Sequence, residues 1–370
     1  MTATQAEEEA STCTSVQLND DVVTEILLRL PSTSVLRSRA VSKAWRAITT
    51  RPDFLAAHAR RRPLELIVEA AAGALHTVPL GSHDKAKRRC LHPGGYPADC
   101  WLVASCDGLL LLEIRAHAQI GCIERLLVCN PVTRQWTPTV PPRSDMLTRF
   151  CGFYLHRPSG EHRLLFLAND HEYGGFGRSA SHHVRSLEAG ETRRLGPAAR
   201  AVHMFDVAPN AFGHRGNLHW LAEKADDEIV VFDTVEETFR RMSRPPVGGG
   251  YDAHHKLFLL ETDGMLAAAA VRGRSVDLWV MEGYSNDQSW TRRHRIGLPP
   301  PLRHVSWVMV GPTPNAILVG RFLDNAAVLC DLTEKVLKRI QLSRAEDLTA
   351  HVFRDSLQRH AFFDLQQEQS

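Results

Sequence analysis

Hydrophobic and polar positions along the first sixty residues follow the period of an α-helix. In the first segment, hydrophobic residues stand at i, i+1, i+4, i+5 and i+8, namely Val22, Val23, Ile26, Leu27 and Leu30. This spacing predicts one broad apolar stripe along a helix. Prolines at positions 31, 52 and 63 interrupt the pattern, because proline cannot continue a helix. The region is therefore predicted to form several short helices.

This helical region is too short to bury its own apolar stripe. About 45 residues is near the size at which a lone hydrophobic core becomes marginal. The stripe must then be covered either by the domain that follows in the chain or by the groove of a partner protein. The periodicity alone leaves both alternatives open.

The sequence of this region resembles an F-box. The stretch LNDDVVTEILLRLPSTSVLRSRAVSKAWRAITTRPDFLAAH contains the I-L-x-R-L-P core of that motif, its Arg- and Trp-containing middle segment LRSRAVSKAWR, and its P-x-F-x-x-x-H end. It departs from the usual pattern at Asn19, where proline is common, and at Ser42, where cysteine is common. Neither departure removes a large apolar side chain.

The resemblance implies that this unit docks on the Skp-family adaptor of a cullin-based (SCF-type) ubiquitin ligase. It also implies which residues would face the adaptor, position by position along the motif. These adaptor-binding residues are Leu18, Val22, Val23, Ile26, Leu27, Leu30, Pro31, Leu36, Val41 and Trp45.

Beyond residue 63 the pattern changes to short apolar runs separated by Gly, Asp, Asn and Pro, which is typical of β-strands and turns. A strand–turn–strand motif recurs with Asn130, Asp233 and Asp331 at the turn, 103 and 98 residues apart. A second set of turns follows steps of 52, 56, 48 and 51 residues, at Gly108, Gly160, Gly216, Gly264 and Asn315. A period near 50 residues with about four strands per unit indicates a kelch-like β-propeller.

The predicted fold is an α+β multidomain chain with a small all-α F-box, an all-β propeller-like domain of five or six blades, and a C-terminal helix. Five units fit the repeat, and a degenerate sixth covers LELIVEAAAGALHTVPL. The helix is predicted over AEDLTAHVFRDSLQRHAFFDL. A β-sandwich or irregular barrel is the alternative, although the two matching sets of turns favour the propeller. The predicted boundaries are a disordered N-terminus over 1–15, the F-box over 16–63, the propeller over 64–344, and the helix and tail over 345–370.

The β-rich region resembles the F-box-associated domain of plant F-box proteins. The resemblance is carried by GLLLL…VCNPVTRQW, GNLHWLAE…EIVVFDTVEETFRRM and SVDLWVMEGY, in that order behind an F-box. It implies that the propeller captures an unknown protein target for ubiquitination. The whole chain would then be the substrate-recognition subunit of the ligase, without an active site of its own.

Composition and charge argue against nucleic-acid and membrane partners. The net charge of the 370-residue chain is only +2, so no global field attracts polyanions. Two basic clusters, residues 59–63 and 84–89, are interpreted as solvated charge. No apolar run approaches the roughly 20 residues of a membrane helix. The eight cysteines contain no C-x-x-C pair, which indicates reduced thiols in the cytoplasm and/or nucleus.

No catalytic residue, cofactor or metal ion is predicted. The adjacent pairs His182–His183 and His254–His255 cannot face one ion from a strand, because neighbouring side chains alternate between its two faces. Two other functions remain as alternatives. The propeller could bind a small ligand or act as an enzyme while the F-box only controls its turnover, or it could bind nucleic acid.

Overall fold

A computed structural model of the chain contains two compact units, residues 1–61 and residues 62–370. Each unit has buried hydrophobic side chains of its own. The structure describes residues 19–70, 73–80, 88–92, 100–115, 123–141, 148–169, 180–196, 211–221, 228–247, 255–284, 289–299, 302, 305–311, 313–321, 326–334, 337–340 and 346–364.

Four short helices form the first unit. Helix α1 begins where the Asn19 side chain accepts a hydrogen bond from the backbone N–H of Asp21, at 3.3 Å. Helix α3 begins where Ser42 Oγ accepts one from the backbone N–H of Ala44, at 3.2 Å. Such caps satisfy backbone donors that have no partner within the helix. The helices are α1 (Asp20–Arg29), α2 (Ser32–Val41), α3 (Lys43–Thr50) and α4 (Pro52–Arg61).

The helical unit buries one side of each helix and ties the helices together with a few polar contacts. Nε2 of His58 on α4 donates to the carbonyl oxygen of Leu30 at 3.1 Å, at the end of α1. Arg39 on α2 donates to the carbonyl oxygen of Thr49 on α3 at 2.8 Å. The buried hydrophobic residues of the unit are Val23, Leu27, Leu28, Val35, Ile48 and Phe54.

The second unit is a β-propeller of six blades, each a four-stranded antiparallel sheet. Of the five or six blades predicted, the structure therefore has six. Blade I contains β24, β1, β2 and β3 in that order, and blades II to VI take four consecutive strands each, from β4 to β23. The strands are β1 (Glu65–Ala70), β2 (Leu75–Pro79), β3 (Arg89–His92), β4 (Cys100–Cys106), β5 (Leu109–Arg115), β6 (Ile123–Asn130), β7 (Gln135–Thr139), β8 (Thr148–His156), β9 (Glu161–Asn169), β10 (Ala180–Ser186), β11 (Thr192–Arg194), β12 (Phe212–His214), β13 (Asn217–Leu221), β14 (Glu228–Asp233), β15 (Thr238–Ser243), β16 (His255–Thr262), β17 (Met265–Arg272), β18 (Ser275–Glu282), β19 (Ser289–Gly297), β20 (Trp307–Val310), β21 (Ala316–Arg321), β22 (Ala326–Asp331), β23 (Leu337–Ile340) and β24 (Glu346–Phe353).

The hydrophobic core of the propeller lies between neighbouring blades. One cluster joins side chains of blades V and VI, and another joins blades III and IV. The second and third strands of a blade are the most deeply buried, as in Leu109–Leu112 of β5. A strand buried on both faces carries a continuous apolar run rather than an alternating one, which explains the LLLL and AAAA runs of the sequence.

The last strand closes the ring, so the predicted C-terminal helix is wrong. β24 pairs antiparallel with β1 and contacts β4 of blade II and β20 of blade VI. In blade I the first strand along the chain, β1, takes the second position of the sheet. The innermost position beside it is empty until the end of the chain arrives, so the backbone N–H and C=O groups on that edge of β1 need a partner strand. The end of the chain pairs that edge as a strand. Among the described residues of the tail, helical structure is limited to a 3₁₀ turn at Ala361–Phe363.

The predicted turns are confirmed at equivalent places in the blades. Between the third and fourth strands, Asn130, Asp233 and Asp331 each accept hydrogen bonds from the backbone N–H groups two and three residues later, at 2.8–3.2 Å. This is the turn geometry that Asn and Asp side chains favour. The degenerate sixth unit predicted near residues 64–80 is also confirmed, because it forms β1 and β2 of blade I.

Neighbouring strands of a blade are antiparallel, so the connections between successive strands lie alternately at the two ends of the propeller. Turns that join first to second strands and third to fourth strands share one end, which we call the short-turn end. The other connections share the opposite end, which we call the long-connection end. There the chain passes from blade to blade, with connections as long as residues 195–211 and 244–254.

Residues 354–364 follow β24 and cross the short-turn end of blades II and III; we call them the C-terminal strap. Nδ2 of Asn130 in blade II lies 3.5 and 3.4 Å from the strap carbonyl oxygens of Ser356 and Gln358. Gly108, with φ +82°, lies so close to the strap that a Cβ there would be 2.3 Å from Cβ of Ser356. Only glycine fits both the backbone angle and the contact.

The strap is held at both ends. At its start, Nη2 of Arg89 lies 2.6 Å from the Asp355 carboxylate and 2.9 Å from that of Glu65 on β1. At its end, Phe362 and Phe363 are buried in the core between blades II and III. The strap is therefore part of the propeller rather than a separate tail.

Candidate functional site

The helical unit carries an exposed apolar surface on α1 and α2. Val22 and Ile26, one turn apart on α1, are each 47% exposed, and Val41 at the end of α2 is 72% exposed. These are three of the eight large hydrophobic side chains that are exposed among the described residues of the whole chain. The apolar stripe of α1 is thus only half buried by its own unit.

The structure places the sequence-predicted adaptor-binding residues in three groups. Val23 and Leu27 are buried within the helical unit, and Leu27 is only 1% exposed. Leu18 lies outside the described residues. The remaining residues are available at the surface: Val22, Ile26, Pro31 and Val41 are exposed, and Leu30, Leu36 and Trp45 are half-buried.

The buried residues hold the exposed ones in place. Val22 and Val23 are adjacent, as are Ile26 and Leu27, so each buried side chain fixes the orientation of its exposed neighbour around the helix. Glu25, between them, contacts Arg61 at 3.1 Å and Arg29 at 3.2 Å, and the Arg61 contact joins α1 to α4. Both arginines keep the pKa of the Glu25 carboxyl below its usual value, Arg61 more than Arg29. The result is an ordered apolar surface on a folded scaffold.

On the propeller, large apolar side chains are exposed at both ends of blade II. Trp101, near the start of β4, is 41% exposed, and Val140, just after β7, is also exposed. Both lie at the long-connection end. Trp136, at the start of β7, is 59% exposed and lies at the short-turn end. Exposed tryptophans are common anchors in protein–protein interfaces.

The sequence pattern does not distinguish the exposed Trp101 and Trp136 from buried tryptophans such as Trp220 and Trp307. Both exposed tryptophans belong to the edge strands of their blade, β4 and β7. Edge position alone does not identify them, because the buried Trp307 also lies on an edge strand, β20.

Burial holds one of the paired histidines and three of the cysteine thiols in their neutral forms. Burial, with a smaller effect of His183, lowers the pKa of His182 to about 4, while His254 lies outside the described residues. Burial raises the pKa of the Cys151 and Cys330 thiols to about 12, and the pKa of the Cys106 thiol is also raised well above its usual value. These three thiols are protonated at neutral pH, and the thiolate is the nucleophilic form.

The basic clusters have partners within the chain where the structure describes them. Arg61 pairs with Glu25, and Arg89 pairs with Glu65 and Asp355. Charges neutralised in this way add little attraction for phosphate groups. In the described part of the chain, no helix has the length and hydropathy needed to cross a membrane.

Comparison with known proteins identifies both units. The family model for the F-box domain matches residues 16–56, and the model for the F-box associated beta propeller domain matches residues 82–365. Arabidopsis thaliana F-box protein At3g07870 is 24% identical over 375 residues, covering 90% of this chain and 88% of that protein. F-box protein CPR1 from the same plant is 26% identical over 320 residues, covering 78% and 75%. Putative F-box/kelch-repeat protein At3g22730, also from Arabidopsis, is 23% identical over 299 residues, covering 76% and 77%.

Proposed function

Because this chain belongs to the family of F-box proteins with an F-box-associated β-propeller, we propose that it is the substrate-recognition subunit of an SCF-type ubiquitin ligase. The F-box docks on a Skp-family adaptor, and through it on a cullin scaffold. The propeller captures the protein target, and the subunit performs no chemistry itself. It acts in the cytoplasm and/or the nucleus, where such ligases meet their targets.

The observation that supports docking is the exposed apolar half of α1. An isolated folded unit gains free energy by covering such side chains, about 25 cal/mol for each Å² of apolar surface removed from water. Val22, Ile26 and Val41 are exposed, and Leu30, Leu36 and Trp45 are half-buried around them. A helix face of this kind fits a hydrophobic groove on a partner.

Proximity is the mechanism of such a subunit. A target held on the propeller stays near the ubiquitin-conjugating enzyme that the cullin carries, which raises the effective concentration of its lysines. This mechanism needs a rigid adaptor surface and a selective target surface, but no catalytic group on this chain.

We predict that Ile26→Ala weakens adaptor binding by roughly 5- to 30-fold, which corresponds to about 1–2 kcal/mol for a side chain at the centre of an interface. The measurement is a titration of the purified full-length chain against a Skp-family adaptor. Val235→Ala is the matched control, because Val235 is also an exposed apolar residue but belongs to a propeller turn. Equal affinity of the parent and Ile26→Ala would contradict docking through this face.

We assign target capture to the long-connection end of the propeller. Long connections between regular strands often carry binding residues, because they vary without disturbing the scaffold. The short-turn end of blades II and III is covered by the C-terminal strap, as shown by the contacts of Gly108 and Asn130 with Ser356. Trp101 and Val140 add exposed apolar surface to the long-connection end.

We predict that Trp101→Ala lowers target capture by about tenfold or more, whereas Trp136→Ala leaves it unchanged. The two variants remove the same side chain from opposite ends of one blade. The measurement compares proteins recovered with each full-length variant from the native tissue while the proteasome is inhibited. Loss of the same proteins in Trp136→Ala but not in Trp101→Ala would place capture at the other end.

A further inference from the structure

The C-terminal strap brings His360 against two side chains of blade III. His162 stands near the start of β9, and Glu188 lies in the turn after β10. One ligand atom from each of the three residues lies within 4.8 Å of the other two. The His162 and His360 rings meet edge to face, with centroids 4.7 Å apart.

Glu188 fixes the orientation of His162. Its Oε2 accepts a hydrogen bond from the backbone N–H of His162 at 2.8 Å, and its Oε1 lies 3.2 Å from Nδ1 of the same residue. When the proton of His162 is on Nε2, the Nδ1 lone pair and Oε1 face each other at about the spacing of two neighbouring ligands of one metal ion.

Both imidazoles have a buried nitrogen without a hydrogen-bond partner. The side chain of His162 is 1% exposed and His360 is 4% exposed, yet neither Nε2 atom has a partner. Burying a polar atom without a partner is costly, so the unpartnered Nε2 atom of His360 in this cluster points to a ligand.

Aromatic side chains lie beside the cluster. The rings of Phe153 and Phe362 lie 5.9 and 6.2 Å from that of His162. This apolar shell limits water around the polar groups and strengthens the electrostatic attraction between them and a cation.

We propose that His162, Glu188 and His360 form a binding site for a divalent transition-metal ion, with Zn²⁺ as the best match. Two imidazole nitrogens and one carboxylate are a common zinc donor set. Tetrahedral zinc requires donors roughly 3.3 Å apart, so binding draws the three side chains together by up to about 1.5 Å. Glu188 is partly exposed, which leaves room for water as the fourth ligand.

The ion would pin the strap to blade III. His360 is the strap residue of the site, whereas His162 and Glu188 belong to the blade. A bound ion therefore stabilises the closed ring, because binding to the folded state alone lowers the population of the unfolded state. This inference is independent of the proposed role in ubiquitination.

The experiment uses the full-length chain, stripped with a chelator and then dialysed against buffered free zinc. We expect about one zinc ion per chain by elemental analysis. At a free zinc concentration one hundred times the dissociation constant, the unfolding equilibrium constant falls about a hundredfold. The midpoint of thermal unfolding of the propeller rises accordingly.

Three variants test the assignment. His360→Gln should lose both the bound zinc and the shift in midpoint, and Glu188→Gln should weaken zinc binding by about tenfold or more. His182→Gln is the control, because His182 is also a buried histidine with an unpartnered ring nitrogen but lies outside this cluster; it should retain both. The proposal is overturned if the parent binds no zinc, or if both cluster variants bind zinc as tightly as the parent.

Discussion

A chain that ends at Arg344 will not form a stable propeller. The deletion removes β24 and the C-terminal strap, so β1 keeps an unpaired edge and the ring stays open. It also removes large side chains that are buried in the folded propeller: Leu348, Phe353, Leu357, Phe362 and Phe363. Each such side chain contributes roughly 1.5–3 kcal/mol, so the loss is on the order of 8–15 kcal/mol. A whole domain is stable by only about 5–15 kcal/mol.

Thermal unfolding followed by circular dichroism, together with limited proteolysis, checks this prediction. The control is a chain that ends at Asp364, which retains β24, the strap and every other residue that the structure describes. The truncated chain should lose the cooperative transition of the propeller and be digested beyond residue 62. Its F-box should remain folded and bind the adaptor. A cooperative transition like that of the control would show that ring closure contributes little.

Leu27→Ala will unfold the helical unit, whereas Ile26→Ala will leave it folded. Truncating a buried leucine costs about 2–5 kcal/mol, and a unit of this size rarely has more than about 3–5 kcal/mol of stability. Leu27 is 1% exposed, whereas its neighbour Ile26 is 47% exposed. Two adjacent aliphatic residues on one helix therefore have opposite roles, one in folding and one at the surface.

Hydrogen exchange and adaptor titration together separate the two roles. Leu27→Ala should lose amide protection across α1 to α4 and weaken adaptor binding by about thirty-fold or more, with the propeller transition unchanged. Ile26→Ala should keep its protection and lose affinity only. If Leu27→Ala kept full protection but lost binding, Leu27 would be a direct contact and the surface described above would be incomplete.

The features that the sequence predicted correctly depend on neighbouring residues. The stop at Pro31 and the turns at Asn130, Asp233 and Asp331 each follow from a few consecutive residues. The fifty-residue repeat combines many such local turn and strand patterns. It therefore predicted both the propeller fold and a count of five or six blades. The helical period also predicted a stripe on α1 too wide for its own unit.

The features that the sequence did not predict depend on residues far apart in the chain. The tail pattern around Leu348 suits a strand only because β1, some 280 residues earlier, offers an unpaired edge. Likewise, the helical period could not show that Leu27 is buried while Ile26 is exposed, since both lie on one stripe. His162, Glu188 and His360 follow no local ligand spacing, because the fold alone brings them together.

Ring closure by the final strand also sets an order of events during synthesis. Residues 19–61 have left the ribosome some 300 residues before the strap, which at about 5–20 residues per second is roughly 15–60 s earlier. During that interval the F-box can fold, whereas β1 remains unpaired on one edge because β24 has not yet been translated. A polypeptide released early would therefore carry a folded F-box on an open, protease-sensitive propeller. Only translation through β24 and the C-terminal strap yields a closed ring.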